Sequence, residues 1–261
     1  MDLQLSGRVA VVTAASRGLG YAVARRFASE GARLVISSDN QETIEAAAAR
    51  LRGEGADVTA QRCDLTSAEA IRAFVAGIGD RYGRIDAMFV NSGGPRPGGF
   101  DEMSDADWQG AFELDVLSVI RLLRDAKPLL QQSDAPAVVN DVSTSVKQPI
   151  DGLTLSNVIR ASVVTLTKTL SVEWAASGIR VNAIAPGRIA TDRVRELDED
   201  SAARLGTTAE DVRTKYIAGI PLGRYGEPDE LARVAVFLCS PAASYVQGQF
   251  IFVDGGLVKA L

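Results

Sequence analysis

The 261-residue chain contains no histidine. That absence removes Ser-His-Asp triads, Cys-His dyads and every His-ligated metal site together, so any proton chemistry has to use other groups, and no metal centre is expected. Only two cysteines occur, Cys63 and Cys239, each within an apolar stretch. A disulfide scaffold and a thiolate zinc site are thereby disfavoured, and both thiols read as buried packing. Long apolar runs are also missing. No stretch approaches the roughly 20 residues of a membrane span, and Met1 to Val12 shows no basic leader ahead of a long apolar core, so a cytoplasmic protein is expected. No long basic run occurs either, and 28 basic against 33 acidic side chains leave a net charge of -5. This argues against a nucleic-acid surface and for a small-molecule ligand.

What is present is an alternation of short apolar runs with longer helical stretches, the pattern of βαβ units around a parallel sheet. The expected fold class is α/β, a single doubly wound (Rossmann) sheet with helices on both faces, spanning residues 1–261 as one domain. Strands are expected at Arg8 to Thr13, Arg33 to Ser37, Val58 to Arg62, Ala87 to Val90, Ala137 to Val142, Arg180 to Ala185 and Gln249 to Val253. Helices are expected at Leu19 to Ser29, from the cap Asp39 and Asn40 onward, and at Ser67 to Tyr82, Leu155 to Ser177 and Glu230 to Leu238. Trp108, Phe112, Val116, Val119 and Leu123 recur at steps of three and four, which predicts one buried stripe on a long helix ending before Pro128. Between Pro186 and Pro221 the sequence turns charged and irregular, so residues 187–220 read as a lid-like insertion, with a plain surface loop as the alternative.

Thr13-Ala14-Ala15-Ser16-Arg17-Gly18-Leu19-Gly20 lies between a strand and a helix. There a glycine-rich turn can bring backbone amides and a helix dipole against a pyrophosphate. Further along come Cys63-Asp64-Leu65, Asn91-Ser92-Gly93-Gly94, Pro186-Gly187 with Ile189 and Thr191, and Val253-Asp254-Gly255-Gly256. Taken singly, Asp64 could merely cap the following helix, and Asn91 to Pro95 could merely turn the chain.

Taken in order, these segments resemble the short-chain dehydrogenases and reductases over essentially the whole chain. The turn is similar to that family's Thr-Gly-x-x-x-Gly-x-Gly, and Asp64 with Leu65 to its adenine-contacting segment. Asn91, Ser92 and Gly93 look like its Asn-Asn-Ala-Gly loop, and Pro186 with Thr191 resembles its nicotinamide-side motif. Ala14 replaces the first glycine, at a cost of about 1 kcal/mol or less unless the turn requires positive φ. The resemblance implies a dinucleotide cofactor. Arg17 resembles the family's basic residue for NADP, and Ser38 stands where its NAD-dependent members usually carry an acid, while Asp39 follows and could repel a phosphate. The balance leans to NADP, with NAD open.

The same resemblance implies a reacting centre with departures. Ser143 keeps the family's serine place, Ser156 takes the tyrosine place, Arg160 the lysine place and Asp115 the asparagine place. Residues 156 and 160 lie four apart, on one face of a helix. A serine hydroxyl cannot readily exchange a proton near neutral pH, and an arginine suits holding an oxyanion or a carboxylate better than transferring a proton. Lys147 is a candidate proton donor or a solvated side chain, Asp151 could also reach the cleft, and Asp115 is a structural ion pair or a proton relay. The bland alternative for Ser156 and Arg160 is a helix cap and an ordinary basic side chain.

Two functions follow. One is an NADP-preferring oxidoreductase that moves a hydride between nicotinamide and a carbonyl or alcohol, of the 3-oxoacyl-reductase kind. The other is a nucleotide-binding sensor or partner subunit that has lost turnover. The resemblance also implies a homotetramer or homodimer, and Trp174 with Ile159, Val163, Leu166 and Leu170 would suit either an interface or the chain's own core.

Overall fold

The computed structural model describes residues 1–260. Val9–Val12 forms β1, Arg33–Ser38 β2, Val58–Arg62 β3, Ala87–Val90 β4, Ala137–Asp141 β5, Arg180–Pro186 β6 and Phe250–Val253 β7. All seven join one parallel sheet in the order β3-β2-β1-β4-β5-β6-β7. Helices α1 (Gly18–Ser29), α2 (Gln41–Gly53) and α9 (Pro228–Cys239) cover one face, where Val23, Phe27, Ile44 and Leu231 pack on Ala10, Val12, Leu34 and Ile36. Helices α3 (Ala68–Tyr82), α5 (Ser118–Leu130) and α6 (Thr154–Glu173) cover the other, with Phe74, Leu122 and Val163 against Val9, Val11, Val138 and Val181. Alternate strand residues feed the two cores, as the two-residue strand period requires. The strand order reverses direction between β1 and β4, which opens a crevice beyond their carboxyl ends. No helix among the described residues is long and apolar enough to cross a membrane.

Three sequence expectations change. The long central helix is α4 (Asp105–Phe112), a π-helical turn (Glu113–Leu117) and α5. The extra residue of a π-turn rotates what precedes it, so Phe112 leaves the stripe and is 41% exposed, while Val116, Val119 and Leu123 stay buried. Pro128 lies inside α5, which runs on to Leu130. Proline removes one hydrogen bond near the helix end, while buried Leu130 and the Leu129 carbonyl, which accepts from the Ile85 amide at 3.1 Å, hold the last turn. The stretch after Pro186 is not irregular: it holds α7 (Asp192–Leu205) and α8 (Ala209–Gly219). Thr191 caps the first through the Val194 amide, Gly206 ends it at φ +65°, and Thr208 with Asp211 forms a capping box on the second. Trp174, Ile159 and Val163 are buried within the chain's own core.

The turn from β1 into α1 is tight. A methyl built on Gly20 would sit 2.3 Å from the Ala14 carbonyl oxygen, so only glycine fits there. Ala14 itself adopts φ +48°. This is the condition under which a β-carbon is costly, about 1 kcal/mol for a left-handed alanine. Ala14→Gly is therefore expected to raise unfolding free energy by about 0.5–1 kcal/mol in urea titrations. A loss of that size would show that the turn is relaxed with alanine.

Candidate functional site

The crevice is braced before any ligand arrives. The Thr13 hydroxyl donates to the Asn91 carbonyl at 2.7 Å and accepts from the Asn91 amide at 2.9 Å, tying the end of β1 to the end of β4. Asn91 Nδ2 donates to the Ala14 carbonyl at 3.2 Å. The amino terminus of α1 carries no acid in its first turn and no side-chain cap, so its amides and dipole face the crevice free for an anion. Ser16, Gly18 and Leu19 line this turn half-buried, and Ala15 is fully buried. The Arg17 guanidinium pairs with Glu196 of α7 at 3.2 Å, which joins the turn to that helix. Thr191 faces Gly18 across the crevice.

At the end of β2, Ser38 is buried and donates to the Asn40 carbonyl, whereas Asp39 is exposed. Two cations that the sequence reading passed over lie beside this corner. Arg62 Nε donates to the Asp39 carbonyl at 2.9 Å, and Arg50 stacks 4.3 Å over the Tyr21 ring while reaching the Ser16 carbonyl at 3.3 Å. The register that sets Ser38 opposite Arg62 is the signal that could have found the first. Asp64 accepts from the Thr66 amide and hydroxyl, which holds its carboxyl below the ordinary range, and Leu65 is buried. Asp64 thus acts locally as a turn cap, while Ser67 caps α3.

Where β4 and β5 end, four candidate residues meet. Arg160, 8% exposed, extends from α6 and uses its planar fork on the protein. Nη1 donates to the carbonyls of Asp141 at 3.3 Å and Val142 at 3.4 Å, and Nη2 to that of Gly93 at 3.1 Å. Nη2 also lies 3.0 Å from Asp115 Oδ1. Asp115 comes from the π-turn, accepts the Ser92 hydroxyl at 2.5 Å, and has its second oxygen, Oδ2, buried without a partner. The structural-pair reading of Asp115 is the geometry observed. Ser143 caps a short turn through the Ser145 amide at 3.1 Å, and Ser145 Oγ lies 3.3 Å from Ser156 Oγ, which is buried. The bland reading of Arg160 as an ordinary surface cation does not describe it. Lys147 is exposed, and the cavity beside Ser143 is lined by Gln148 and Asp151 and not by it.

That cavity, about 470 Å³, runs from Ser143 past Asp151, Leu153 and Pro186 to Val194, Leu197 and Tyr216 of α7 and α8. Helices α7 and α8, which line it, are anchored by buried polar contacts. Arg188 and Asp198 form a buried ion pair at 3.0 Å, Tyr225 donates to Asp198 at 3.0 Å, and Arg188 lies 3.4 Å over the Tyr216 ring. Burial raises the Asp198 carboxyl despite Arg188. Pro186 and Gly187 end β6 at the cavity wall, and Ile189 is buried just beyond. Arg96 of the Pro95–Gly99 loop is exposed and pairs with Asp107 at 3.5 Å. Among the described residues no cluster of acids and cysteines could hold a metal ion.

The sequence reading missed Asp141. Burial pushes its carboxyl up to about 7, against the attraction of Arg160 and reinforced by Asp115. A buried acid at a strand end, between Asn140 and Val142, has no periodicity signal and reads as part of the strand.

A doubly wound sheet with a glycine-shaped turn at its switch point, and polar groups converging beyond β4, β5 and β6, defines a dinucleotide-binding α/β protein. Comparison with known proteins narrows this. A family model described as Enoyl-(Acyl carrier protein) reductase matches residues 13–258. "Dehydrogenase/reductase SDR family member 4" of Oryctolagus cuniculus is 35% identical over 258 residues, covering 98% of this chain and 96% of that protein. The crystal structure of L-sorbose reductase from Gluconobacter frateurii, complexed with NADPH and L-sorbose, superposes with a TM-score of 0.94 at 32% identity over 100% of both chains. The NADPH-bound structure of a short chain oxidoreductase from Pseudomonas aeruginosa PAO1, described as containing an atypical catalytic center, gives a TM-score of 0.88 at 33% identity over 97% of this chain and 98% of that one. The chain belongs to the short-chain dehydrogenase/reductase family.

The raised Asp141 sets a pH dependence. Between about pH 4 and 7 the folded protein keeps a proton that the unfolded chain has released, so stability is greatest below the ordinary carboxyl pKa and falls as pH rises to about 7. Asp141→Asn is expected to match the wild type near pH 4 and to be more stable at pH 8, by up to about 4 kcal/mol at 1.36 kcal/mol per unit. Urea titrations at the two pH values check this, and equal differences at both would refute it.

Proposed function

We propose that this protein is an NADP-preferring oxidoreductase that transfers a hydride between nicotinamide and the carbon of a carbonyl or alcohol substrate, with an active centre built on Ser143, Ser156 and Arg160 instead of a tyrosine and lysine pair. One observation carries the reading: Arg160 is buried against the strand ends beside Ser143 and Ser156 instead of pointing to solvent. Family membership and the NADPH-bound neighbours support the cofactor.

The chain's own residues fit such a cofactor. The Gly20 cradle, which a methyl would fill, and the free amides of α1 suit a pyrophosphate, with Thr13, Ala15, Ser16, Gly18 and Leu19 shaping the turn. Arg17, Arg50 and Arg62 beside Ser38 suit a ribose phosphate, and the exposed Asp39 can turn away from it. Asp64 and Leu65 would border the adenine, and Asn91, Ser92, Gly93, Pro186, Gly187, Ile189 and Thr191 the nicotinamide end. When bound, the nicotinamide supplies or takes the hydride.

Ser143, at the cavity wall, is assigned to orient the substrate oxygen. Arg160 has its donors committed to carbonyls and Asp115, so its part is to fix the loop and strand ends and to impose positive charge, worth a few kcal/mol on a developing oxyanion. Gripping the substrate directly is not what its contacts favour. Asp115 positions Arg160, and Lys147, exposed off the cavity, has no geometric support as a donor. Residues 187–220 act as the lid on a single unit. Exposed Phe112, Val158 and Val172 support an assembly of two or four copies.

NADPH is expected to bind more tightly than NADH by fluorescence titration. Ser143→Ala and Arg160→Ala are expected to lower kcat on a carbonyl substrate about 10²-fold or more, with cofactor binding retained in the first. Unchanged turnover in both would refute the assigned roles, and cofactor binding without turnover across a broad carbonyl and alcohol panel would refute the oxidoreductase reading.

A further inference from the structure

We propose that Asp141 is the proton-holding group of this site, a carboxyl buried at the end of β5 and left outside the Arg160–Asp115 ion pair. The proposal rests on the oxidoreductase reading and deepens it, since reduction of a carbonyl needs a proton and no phenol lies beside Ser143.

The geometry is a charge count. One guanidinium, that of Arg160, acts on two carboxyls, and it contacts only that of Asp115, at 3.0 Å, which also accepts from the Ser92 hydroxyl. The remaining Arg160 contacts go to the carbonyls of Asp141, Val142 and Gly93. The Asp141 backbone is therefore engaged while its side chain is not, and Oδ1 is buried without any hydrogen-bond partner. Strand alternation places this side chain on the face of buried Val139, opposite to Asn140, which donates to Thr167 of α6. The residue beside it in β6 is Ile184, and Val90 of β4 pairs with the preceding Asn140, so the charged groups acting on Asp141 are Arg160 of α6 and Asp115 of the π-turn.

Ionising such a group leaves a poorly compensated charge in a buried position, so the proton is held to higher pH than on an ordinary carboxyl. Its pKa of about 7 is where an acid both holds and releases a proton readily at neutral pH. Asp141 lies two residues before Ser143, which lines the cavity and is itself extended, so strand alternation puts the two side chains on the same face. A purely structural role would be served better by an apolar residue, because nothing is bonded to Oδ1. In the reductive direction the O–H bond of Asp141 breaks and an O–H bond forms on the former carbonyl oxygen, while the hydride reaches the carbon. The carboxylate left behind is held near Arg160 until water returns a proton, and the oxidative direction reverses each transfer.

The test begins without cofactor or substrate. In protein labelled with carboxyl-13C aspartate, with Asp141→Asn and Asp141→Glu to assign the resonance, Asp141 is expected to titrate near pH 7. Asp115→Asn, which frees Arg160, is expected to lower that midpoint by about one unit or more. A wild-type midpoint at the ordinary value near 4 overturns the proposal. With a carbonyl substrate, wild-type reductive kcat is expected to fall as pH rises through the midpoint, and Asp141→Asn to lose that limb and about 10²- to 10⁴-fold in kcat. An Asp141→Asn protein that keeps the wild-type rate and profile also overturns it. The two readings fail differently. A wild type with no turnover on any substrate overturns the oxidoreductase reading, and the catalytic role with it, even with a midpoint near 7. An ordinary midpoint in an active enzyme overturns only the role of Asp141.

Discussion

A buried guanidinium is the constraint on which the site depends. Removing Arg160 from water is costly unless its donors are met, and the chain meets them with three carbonyls and one carboxylate from separate segments. Those segments are the end of β5, the loop after β4 and the π-turn of the central helix. A lysine in the same place would be a point charge with three donors, unable to span them in one plane. The arginine therefore acts first as a clasp that joins the end of β5, the loop after β4 and the π-turn. Asp115 takes up the arginine's charge, and the carboxyl of Asp141 is pushed up to about 7, first by burial and further by Asp115, against the pull of Arg160.

The opposite wall is built by backbone constraint rather than charge. Ala14 in the left-handed region and Gly20 against its carbonyl make a turn so close that side chains are excluded, and the Thr13 hydroxyl bonds both amide and carbonyl of Asn91. The crevice at the switch point is thus shaped in advance, at a local cost in strain of about 1 kcal/mol. Its roof is fixed unevenly. The buried Arg188, Asp198 and Tyr225 group anchors α7 where it meets the sheet, while the exposed Arg17 and Glu196 pair beside the turn is of the kind worth about 0–1 kcal/mol.

Most of the sheet was legible because apolar runs between turn residues have a short-range signature, and β3 and β4 fall at the residues the sequence predicts. The glycine turn was legible for the same reason: its order between strand and helix is local. What escaped was decided at long range or by phase. The π-turn shifts the helical register without any residue that announces it, and so it moved Phe112 to solvent. The lid helices are polar enough to hide their period, although Thr191, Gly206, Thr208 and Asp211 supplied their caps. Arg160 and Asp115 could be placed by neighbouring motifs, but that they would bond each other, and leave Asp141 the odd acid, depends on three segments meeting 26 and 45 residues apart in the chain.

The absence of histidine gives that odd acid its significance. No side chain in this protein has an unperturbed pKa close to neutrality, so a group exchanging protons there has to be made by its surroundings. Desolvation can raise a carboxyl and a neighbouring cation can lower it, and a value near 7 requires burial to outweigh the cation without overwhelming it. Asp141 stands at that balance: burial and Asp115 push one way, Arg160 the other. The clasp and the proton are therefore one electrostatic unit. Any change that strengthens the hold of Arg160 on Asp115 leaves Asp141 less compensated and keeps its proton on to higher pH, whereas loosening that pair lets Asp141 ionise and fixes the site in the deprotonated form.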